Sequence, residues 1–272
     1  VSVVHMAKAR LVGPFELDGK PVERITAYLF HAGGHDDPAP LATNAGKSYI
    51  GSYVLGMGFT FDDTDKDEVA NPICLMHELI SKDKRNADRI FRYIGGEEIL
   101  NDPKQMGHRF VINFGSMSED EARQWPDLFK IVEEKVKPER LKNNREAYTK
   151  NWWQYAEKRL ELVNAIQRLN RVLVHPSYST CIAFTFIPVE YVIAHPQIVM
   201  PLPEWTSFCV LQSRLHEVWA RFFASSMKDD LRYTPSDCFE TFPFPANQTT
   251  DLDLEAIGKE YYEFRAALMV TN

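Results

Sequence analysis

Residues 126–135 have the composition of a metal-dependent nuclease site. Asp127 is followed by Glu133, Glu134 and Lys135, and carboxylates with a lysine can bind a metal ion and activate water for phosphodiester cleavage. Such sets usually lie on adjacent strands, whereas this one falls at short spacing on a helical pattern. The pattern therefore favours charged residues on a helix surface, and a free-standing nuclease is only the third hypothesis.

A second polar group lies in a loop rich in Gly and Pro. It contains residue types that bind metal ions, namely His31, His35, Asp36 and Asp37. No second set of ligands follows at a matching spacing, so we interpret these residues as polar loop positions and expect no metal. The cysteines are scattered without a CxxC pair, which argues against a zinc ribbon. They are Cys74, Cys181, Cys209 and Cys238.

The composition is that of an ordinary globular protein, with 44% hydrophobic and 25% charged residues in a chain of 272. No apolar run approaches the roughly 20 residues that span a bilayer, and no signal-peptide pattern opens the chain. Scattered cysteines fit reduced thiols, so we expect a cytoplasmic protein without a membrane partner. The chain begins at Val1 rather than Met, which indicates a piece of a longer protein.

The net charge of −7 argues against a nucleic-acid partner, but the charges are unevenly distributed. Residues 128–175 carry 11 Lys and Arg against 6 Asp and Glu. This local basic excess is typical of a DNA-facing strip and equally of a solvated helix rich in both signs.

Apolar periodicity and turn signals predict an alternation of short strands and helices. Strands are predicted at 1–8, 24–30, 109–114, 172–174, 182–187, 191–194 and 197–200, a strand or hairpin at 48–61, and a strand or helix end within 88–100. Helices are predicted at 72–81, 127–171, 208–224 and 253–269, and the second of these has a break near Pro138. Another helix is predicted to begin at Ser118, whose side chain forms a capping box with Glu121. The fold class is therefore α+β, a mixed or antiparallel sheet with flanking helices and a C-terminal helix.

Two of these helices carry apolar stripes that predict how each would pack. The helix at 208–224 has its stripe at Leu211, Leu215, Val218, Trp219 and Phe222. For the last helix we predict an inner face formed by Ile257, Tyr261, Phe264 and Leu268.

Three motifs follow one another near the end of the chain: LQSRLHEVWAR at 211–221, SSMKDDLRY at 225–233 and FETFPFP at 239–245. Their order resembles the C-terminal target-recognition region of bacterial N6-adenine DNA methyltransferases, in fused restriction-modification and phage-exclusion enzymes. Further family-like motifs are ITAYL at 25–29, SYIG at 48–51, GMGF at 56–59, FRYIGGEE at 91–98, RFVINF at 109–114, VKPER at 136–140, WW at 152–153 and KR at 158–159. Asn113 departs from the acid that is common at its position.

The resemblance implies S-adenosylmethionine as the cofactor of the parent enzyme. That family's catalytic domain has a glycine-rich cofactor loop and an Asn-Pro-Pro-aromatic type loop that holds a flipped adenine. Here Gly56 and Gly58 precede a strand-like pattern, and Asn71-Pro72 lacks the second proline and the aromatic residue. We therefore expect no catalytic, cofactor-binding or metal-binding residue in this fragment.

A domain that reads duplex DNA needs cations and backbone amides on phosphates and forked side chains on base edges. We predict phosphate contacts at Lys228 and Arg232, beside the small pair Ser225 and Ser226, where the backbone can approach an anion. An ion pair with a neighbouring aspartate is the alternative for Arg232. Further candidates are Lys142, Arg145, Lys150 and Arg214.

Some residues near these candidates have two interpretations. Arg214 and His216 could belong to a structural network as readily as to a DNA contact. Trp152 and Trp153 are residue types that more often pack in a core than stack on bases.

The resemblance implies sequence-specific recognition of double-stranded DNA, with the adenine oriented for N6 methylation by the catalytic methyltransferase domain of the same parent chain. We predict the tail of that domain at 1–33, a target-recognition domain at 47–247 and a C-terminal spacer or packing helix at 251–270. The alternative is a protein-interaction module whose acidic surface and terminal helix bind a partner subunit without DNA.

Overall fold

The structure, a computed structural model, describes residues 8, 12–25, 38–227 and 230–271. The strands predicted at 1–8 and 24–30 and the motif at 25–29 fall mostly outside these ranges. The histidine loop at 31–37 and Lys228 fall wholly outside them.

Strands are short throughout the described residues. They are β1 (Phe15–Leu17), β2 (Lys20–Val22), β3 (Tyr49–Ile50), β4 (Thr60–Phe61), β5 (Ile90–Ile94), β6 (Arg109–Ile112), β7 (Arg171–His175), β8 (Tyr178–Ser179), β9 (Thr185–Pro188), β10 (Val192–Ile193), β11 (Ile198–Met200), β12 (Ser225–Met227) and β13 (Asp230–Arg232).

Helices connect and cover these strands. They are α1 (Ile73–Lys82), α2 (Gly96–Asn101), α3 (Glu119–Ala122), α4 (Pro126–Lys135), α5 (Lys137–Arg140), α6 (Glu146–Lys150), α7 (Leu160–Ile166), α8 (Trp205–Leu211), α9 (Arg214–Phe223), α10 (Pro235–Cys238) and α11 (Leu252–Thr271). Short 3-10 helices lie at Ala42–Asn44, Met57–Phe59, Lys84–Arg89 and Gln248–Thr250.

Among the described residues, the named strands pair antiparallel except for one parallel pair. Their strand orders are β1-β2, β10-β5-β6-β4, β3-β11-β7-β9 and β12-β13-β8, and β10 pairs with β5 in parallel. The α+β prediction, with mixed or antiparallel sheets and a C-terminal helix, is confirmed.

Three apolar clusters form the core of the part of the chain that the structure describes. The first packs the β5–β6 sheet against α4, with Trp152 and Trp153 among its buried members. The second lies between β7, β9, β11 and helix α8, and extends to Tyr233 and Phe239. The third contains residues of both four-stranded sheets, such as Ile94, Val172 and Val199, and so packs these two sheets together.

Several predicted elements are present at the expected places. Helix α1 and strand β6 match the predictions at 72–81 and 109–114. The Ser118–Glu121 capping box is formed, with each side chain bonded to the other residue's backbone N–H. Pro126 starts α4 at its first turn, where a missing N–H costs no helical bond.

The strand or hairpin predicted at 48–61 forms instead as two separate short strands. Strand β3 pairs with β11, whereas β4 pairs with β6 in a different sheet. Gly51 permits this course, because a Cβ at that position would lie 2.6 Å from the carbonyl oxygen of Ala194. The chain therefore crosses between two sheets here rather than folding back on itself.

The predicted helix at 127–171 forms only in pieces. Residues 151–159 leave the helical path, because Trp152, Trp153 and Tyr155 turn into the first core cluster and Tyr53 forms a bridge with Glu157. Arg171 already belongs to β7. Burial of the aromatic side chains thus overrides the local helical pattern.

The predicted helix at 208–224 is divided into α8 and α9. Ser213 caps α9 by accepting the His216 N–H on its side chain. The Gln212 side chain is bonded across to Phe184 N–H and the Ile182 carbonyl oxygen. These bonds stop one helix and start the next.

The predicted inner face of the last helix is also wrong. Ile257, Tyr261, Phe264 and Leu268 are 45–60% exposed. Gly258 is buried against α8 instead, and a Cβ on it would lie 2.5 Å from the Trp205 carbonyl oxygen. The close approach at this glycine turns the four apolar residues toward solvent.

Candidate functional site

The SSMKDDLRY motif forms the three-stranded sheet β12-β13-β8. Ser225 pairs with Arg232, and Arg232 pairs with Tyr178 on the other side. Leu231 is buried beneath the sheet whereas Arg232 is exposed, as the alternation of a half-buried strand requires. The Arg232 guanidinium carbon lies 5.8 Å from the Tyr178 ring centroid, so an arginine and an aromatic ring share the exposed face.

Among the described residues, Arg232 has no ion-pair partner. Asp230 does not pair with it, and Asp229 lies outside the described residues. Ser225 and Ser226 contribute their backbone to β12. The sheet therefore presents Arg232 with its donors available to a ligand.

Two histidines lie buried under this sheet. His216 places Nε2 2.9 Å from the Tyr233 hydroxyl oxygen, and His175 Nδ1 donates to the Pro176 carbonyl oxygen over 2.6 Å. Burial lowers the pKa of each imidazole to about 3, because a charge there would lose its hydration. Both rings are therefore neutral near pH 7 and belong to the structural network that was one of the two hypotheses for His216.

The arginines of α9 are paired on the helix surface. Arg214 Nη1 lies 2.7 Å from Glu217 Oε2, and Arg221 Nε lies 2.9 Å from Glu217 Oε1. Hydrogen bonds from Arg221 and then Arg214 lower the pKa of the Glu217 carboxyl. Part of Arg214's charge is thus balanced within the domain.

The apolar stripe predicted for this helix does not pack as a unit. Leu215, Val218 and Phe222 are exposed, while His216 and Ala220 are buried.

A second cationic surface lies around α5 and α6. Lys142, Arg145 and Lys150 are exposed, and none has an ion-pair partner among the described residues. Arg145 Nη1 donates to the Tyr148 hydroxyl oxygen over 2.8 Å. This segment brings together three of the predicted contact residues and leaves their charges unbalanced.

The nuclease-like residues do not converge. Asp127 pairs with Lys82 at 2.7 Å, and Glu133 pairs with Lys137 at 2.8 Å. Lys135 donates to two backbone carbonyl oxygens over 2.9 and 3.1 Å. Across the described ranges, no three His, Cys, Asp or Glu residues lie close enough to hold a metal ion.

The two segments compared with catalytic loops have packing roles. A Cβ on Gly58 would lie 2.5 Å from Lys135 Cβ, so this glycine allows the chain to approach α4. Asn71 donates from its side chain to the carbonyl oxygens of Gly58 and Thr60. Its amide is therefore occupied within the fold.

A cleft of about 700 Å³ is lined by residues of β3, α7 and α10, but its lining is unsuited to phosphate. Its lining includes Glu157, Glu161 and Glu240 beside Arg159, and carboxylates repel a polyanion. No helix that the structure describes has both the length and the apolarity to cross a membrane.

Two tyrosines of these surfaces were missed by sequence reasoning. Tyr178 reaches Arg232 only through strand pairing across more than fifty residues of sequence, for which the sequence contains no signal. Tyr148 lies at i+3 from Arg145, a spacing that brings side chains together at a helix start, and this spacing could have revealed it.

Comparison with known proteins identifies the family. The family model for the target recognition domain of MmeI matches residues 69–246. The solved structure of the Type IIL restriction-modification enzyme MmeI in complex with DNA has a TM-score of 0.64 to this chain, at 18% sequence identity. The match covers 88% of this chain and 30% of that chain. No curated protein shows significant sequence similarity.

The family match spans more than half of the chain, and the solved structure shares its fold. The resemblance predicted from the motifs at 211–245 is therefore confirmed: the chain belongs to the family of MmeI target recognition domains.

Proposed function

We propose that this chain recognises a specific sequence in double-stranded DNA as part of a restriction-modification enzyme of the MmeI type. The observation that supports this most directly is a pair of exposed surfaces whose cations have no ion-pair partner among the described residues: Arg232 on β13, and Lys142, Arg145 and Lys150 around α5 and α6. Family membership supplies the protein class, and unbalanced cations are the groups that contact phosphates.

The parent protein in this proposal is an S-adenosylmethionine-dependent N6-adenine DNA methyltransferase that acts in the cytoplasm in phage defence. In this proposal the chain contributes neither the cofactor loop nor the adenine loop, and its role is to position DNA for the catalytic domain. In this proposal residues 47–247 recognise the target, residues 1–33 belong to the catalytic domain and residues 251–270 form the spacer or packing helix. Lys228, Ser225 and Ser226 would contact phosphate beside Arg232, with Arg214 at the periphery.

The test is binding to a random-sequence pool of duplex DNA at increasing salt. The wild-type chain should bind at low salt, enrich one sequence, and lose affinity by about 0.9 decade per decade of salt for each phosphate contact. Lys228→Ala/Arg232→Ala should lower that slope by about two units, and Lys142→Ala/Arg145→Ala/Lys150→Ala by about three.

Lys66→Ala is the matched control, because Lys66 is exposed on another loop without an ion-pair partner among the described residues. An equal effect of Lys66→Ala would mean that overall charge, rather than these surfaces, governs binding. Absence of binding at low salt would contradict the proposal.

A protein contact that adds to DNA recognition, rather than replacing it, is favoured by the exposed apolar strip on α11 at Ile257, Tyr261, Phe264 and Leu268. Exposed apolar patches of this kind mark protein contacts. Since this chain matches only 30% of the MmeI chain, we propose the parent's catalytic domain as the occupant. Phe264→Ser should then weaken association with that domain, with little dependence on salt, and leave DNA binding unchanged.

A further inference from the structure

Arg140 is a buried arginine at the start of the α5–α6 cationic surface. It is 2% exposed, and its Nη2 donates to the carbonyl oxygens of Val54 (2.7 Å) and Gln154 (3.2 Å). Burial lowers the pKa of this guanidinium. Nε and Nη1 have no hydrogen-bond partner among the described residues.

Stability alone does not account for an arginine at this position. Two buried guanidinium nitrogens without partners destabilise the fold, and a well-packed apolar side chain avoids that cost. The placement therefore points to something that the guanidinium holds. The Arg140 guanidinium carbon lies 5.6 Å from the centroid of the Tyr148 ring and 6.0 Å from that of the Phe59 ring.

Tyr148 lies between a buried and an exposed arginine. The residue is 8% exposed, so its ring has a fixed place in the fold. Its hydroxyl oxygen accepts the 2.8 Å hydrogen bond from Arg145 Nη1, and the Arg145 guanidinium carbon lies 5.3 Å from the ring centroid. Arg145 also has its backbone N–H bonded to Asn143 Oδ1.

We propose that Tyr148 is a positioning residue that orients the Arg145 guanidinium for a DNA phosphate. In this arrangement the Arg140 guanidinium packs against the Tyr148 ring and fixes its position. A guanidinium already oriented loses less conformational freedom when it binds. The inference rests on the proposed DNA-binding function and goes beyond it by assigning roles to two residues that do not contact DNA.

The test is a double-mutant cycle on random-sequence duplex DNA. Arg145→Ala should lower affinity roughly three- to tenfold and reduce the salt slope by about one unit. Tyr148→Phe removes only the hydroxyl and should reproduce most of that loss. Tyr148→Phe/Arg145→Ala should bind as Arg145→Ala does, because the hydroxyl acts through Arg145.

A second readout needs no DNA. The side-chain NMR signal of Arg145 should show hindered rotation of the guanidinium in the wild-type chain and free rotation in Tyr148→Phe. Arg140→Met should also free the rotation, and Arg140→Lys should restore part of the hindrance. Tyr49→Phe is the matched control, because its hydroxyl donates to the Gly46 carbonyl oxygen and not to an arginine.

Two results would overturn the inference. One is Tyr148→Phe binding DNA as tightly as the wild-type chain while Arg145→Ala binds weakly. The other is multiplication of the two losses in the double variant together with a lower melting temperature, which would make Tyr148 merely structural. If the wild-type chain does not bind DNA, the proposed function fails, and the NMR signature alone still decides whether Tyr148 orients Arg145.

Discussion

The motif-rich C-terminal segment and the α5–α6 segment use their polar residues in opposite ways. In the first, His216 and Tyr233 are bonded to each other in the core, and Arg214 pairs with Glu217. In the second, Arg145 and its two neighbouring lysines are exposed and unbalanced within the described structure. Most of the residues that made the family recognisable thus build the scaffold. Arg232 is the exception, because it is exposed without an ion-pair partner among the described residues.

The same distinction holds elsewhere in the chain. Glu98 of the FRYIGGEE motif and Arg109 of the RFVINF motif form an ion pair at 2.6 Å, and Glu98 also accepts the Gly95 N–H. Arg140 of VKPER and Trp152 of WW are buried. These motif residues therefore stabilise the packing of the fold.

The largest effect is expected when a buried aromatic ring is removed from the core beneath the β12-β13-β8 sheet. Phe184 is fully buried and contacts the rings of His175, His216 and Tyr233. Phe184→Ala should lower the free energy of unfolding by about 3–5 kcal/mol, measured by denaturant titration. Phe264→Ala removes an equally large but exposed ring and should change it by less than about 0.5 kcal/mol. Similar losses in both would contradict the assigned packing.

Acid should act on the same scaffold and spare the α5–α6 surface. The folded-state pKa values of His175 and His216 are about 3, below the ordinary value near 6.5. Below pH 6.5 these two histidines therefore bind protons in the unfolded chain but stay neutral in the folded chain. Stability should fall by about 1.4 kcal/mol per pH unit for each histidine as pH drops from 6.5 toward 3.

The measurement is the free energy of unfolding at pH values from 7 to 4.5. His175→Gln should remove about half of the slope in that range. An unchanged slope in His175→Gln would show that other groups control the acid response.

A smaller effect is expected when only one hydroxyl is lost. Tyr233→Phe leaves the buried His216 Nε2 without its partner and should lower the free energy of unfolding by about 1–3 kcal/mol. Tyr261→Phe, at an exposed tyrosine, is the comparison variant and should have almost no effect. Equal stabilities of the two variants, measured by thermal or denaturant unfolding, would mean that the His216–Tyr233 bond contributes nothing.

The smallest stability effect is expected on the surface of α9. Glu217→Gln weakens two exposed ion pairs and should change the free energy of unfolding by less than about 1 kcal/mol. It also releases the charges of Arg214 and Arg221, so DNA affinity at low salt should rise by less than about tenfold. A clearly steeper salt slope would place α9 within the binding surface, whereas an unchanged slope would leave it in the scaffold.

Local pattern was sufficient where the cause is local. The capping box at Ser118, the helix that begins near Asp127 and the alternation of β6 depend on neighbouring residues, and each was predicted. The family followed from the order of short motifs. The exposed positions of Lys142, Arg145 and Lys150 also followed from a charge excess visible in the sequence.

Only the packed chain decided the rest, because those features depend on residues far apart in sequence. Gly258 meets the Trp205 backbone, and this contact turned the apolar residues of α11 outward against their periodicity. Strand pairing brought Tyr178 to Arg232, and burial of Trp152 and Trp153 ended a helix that local propensity would continue. The periodicity of the sequence shows that a helix has an apolar face. Which face is buried depends on where another backbone can approach the helix closely.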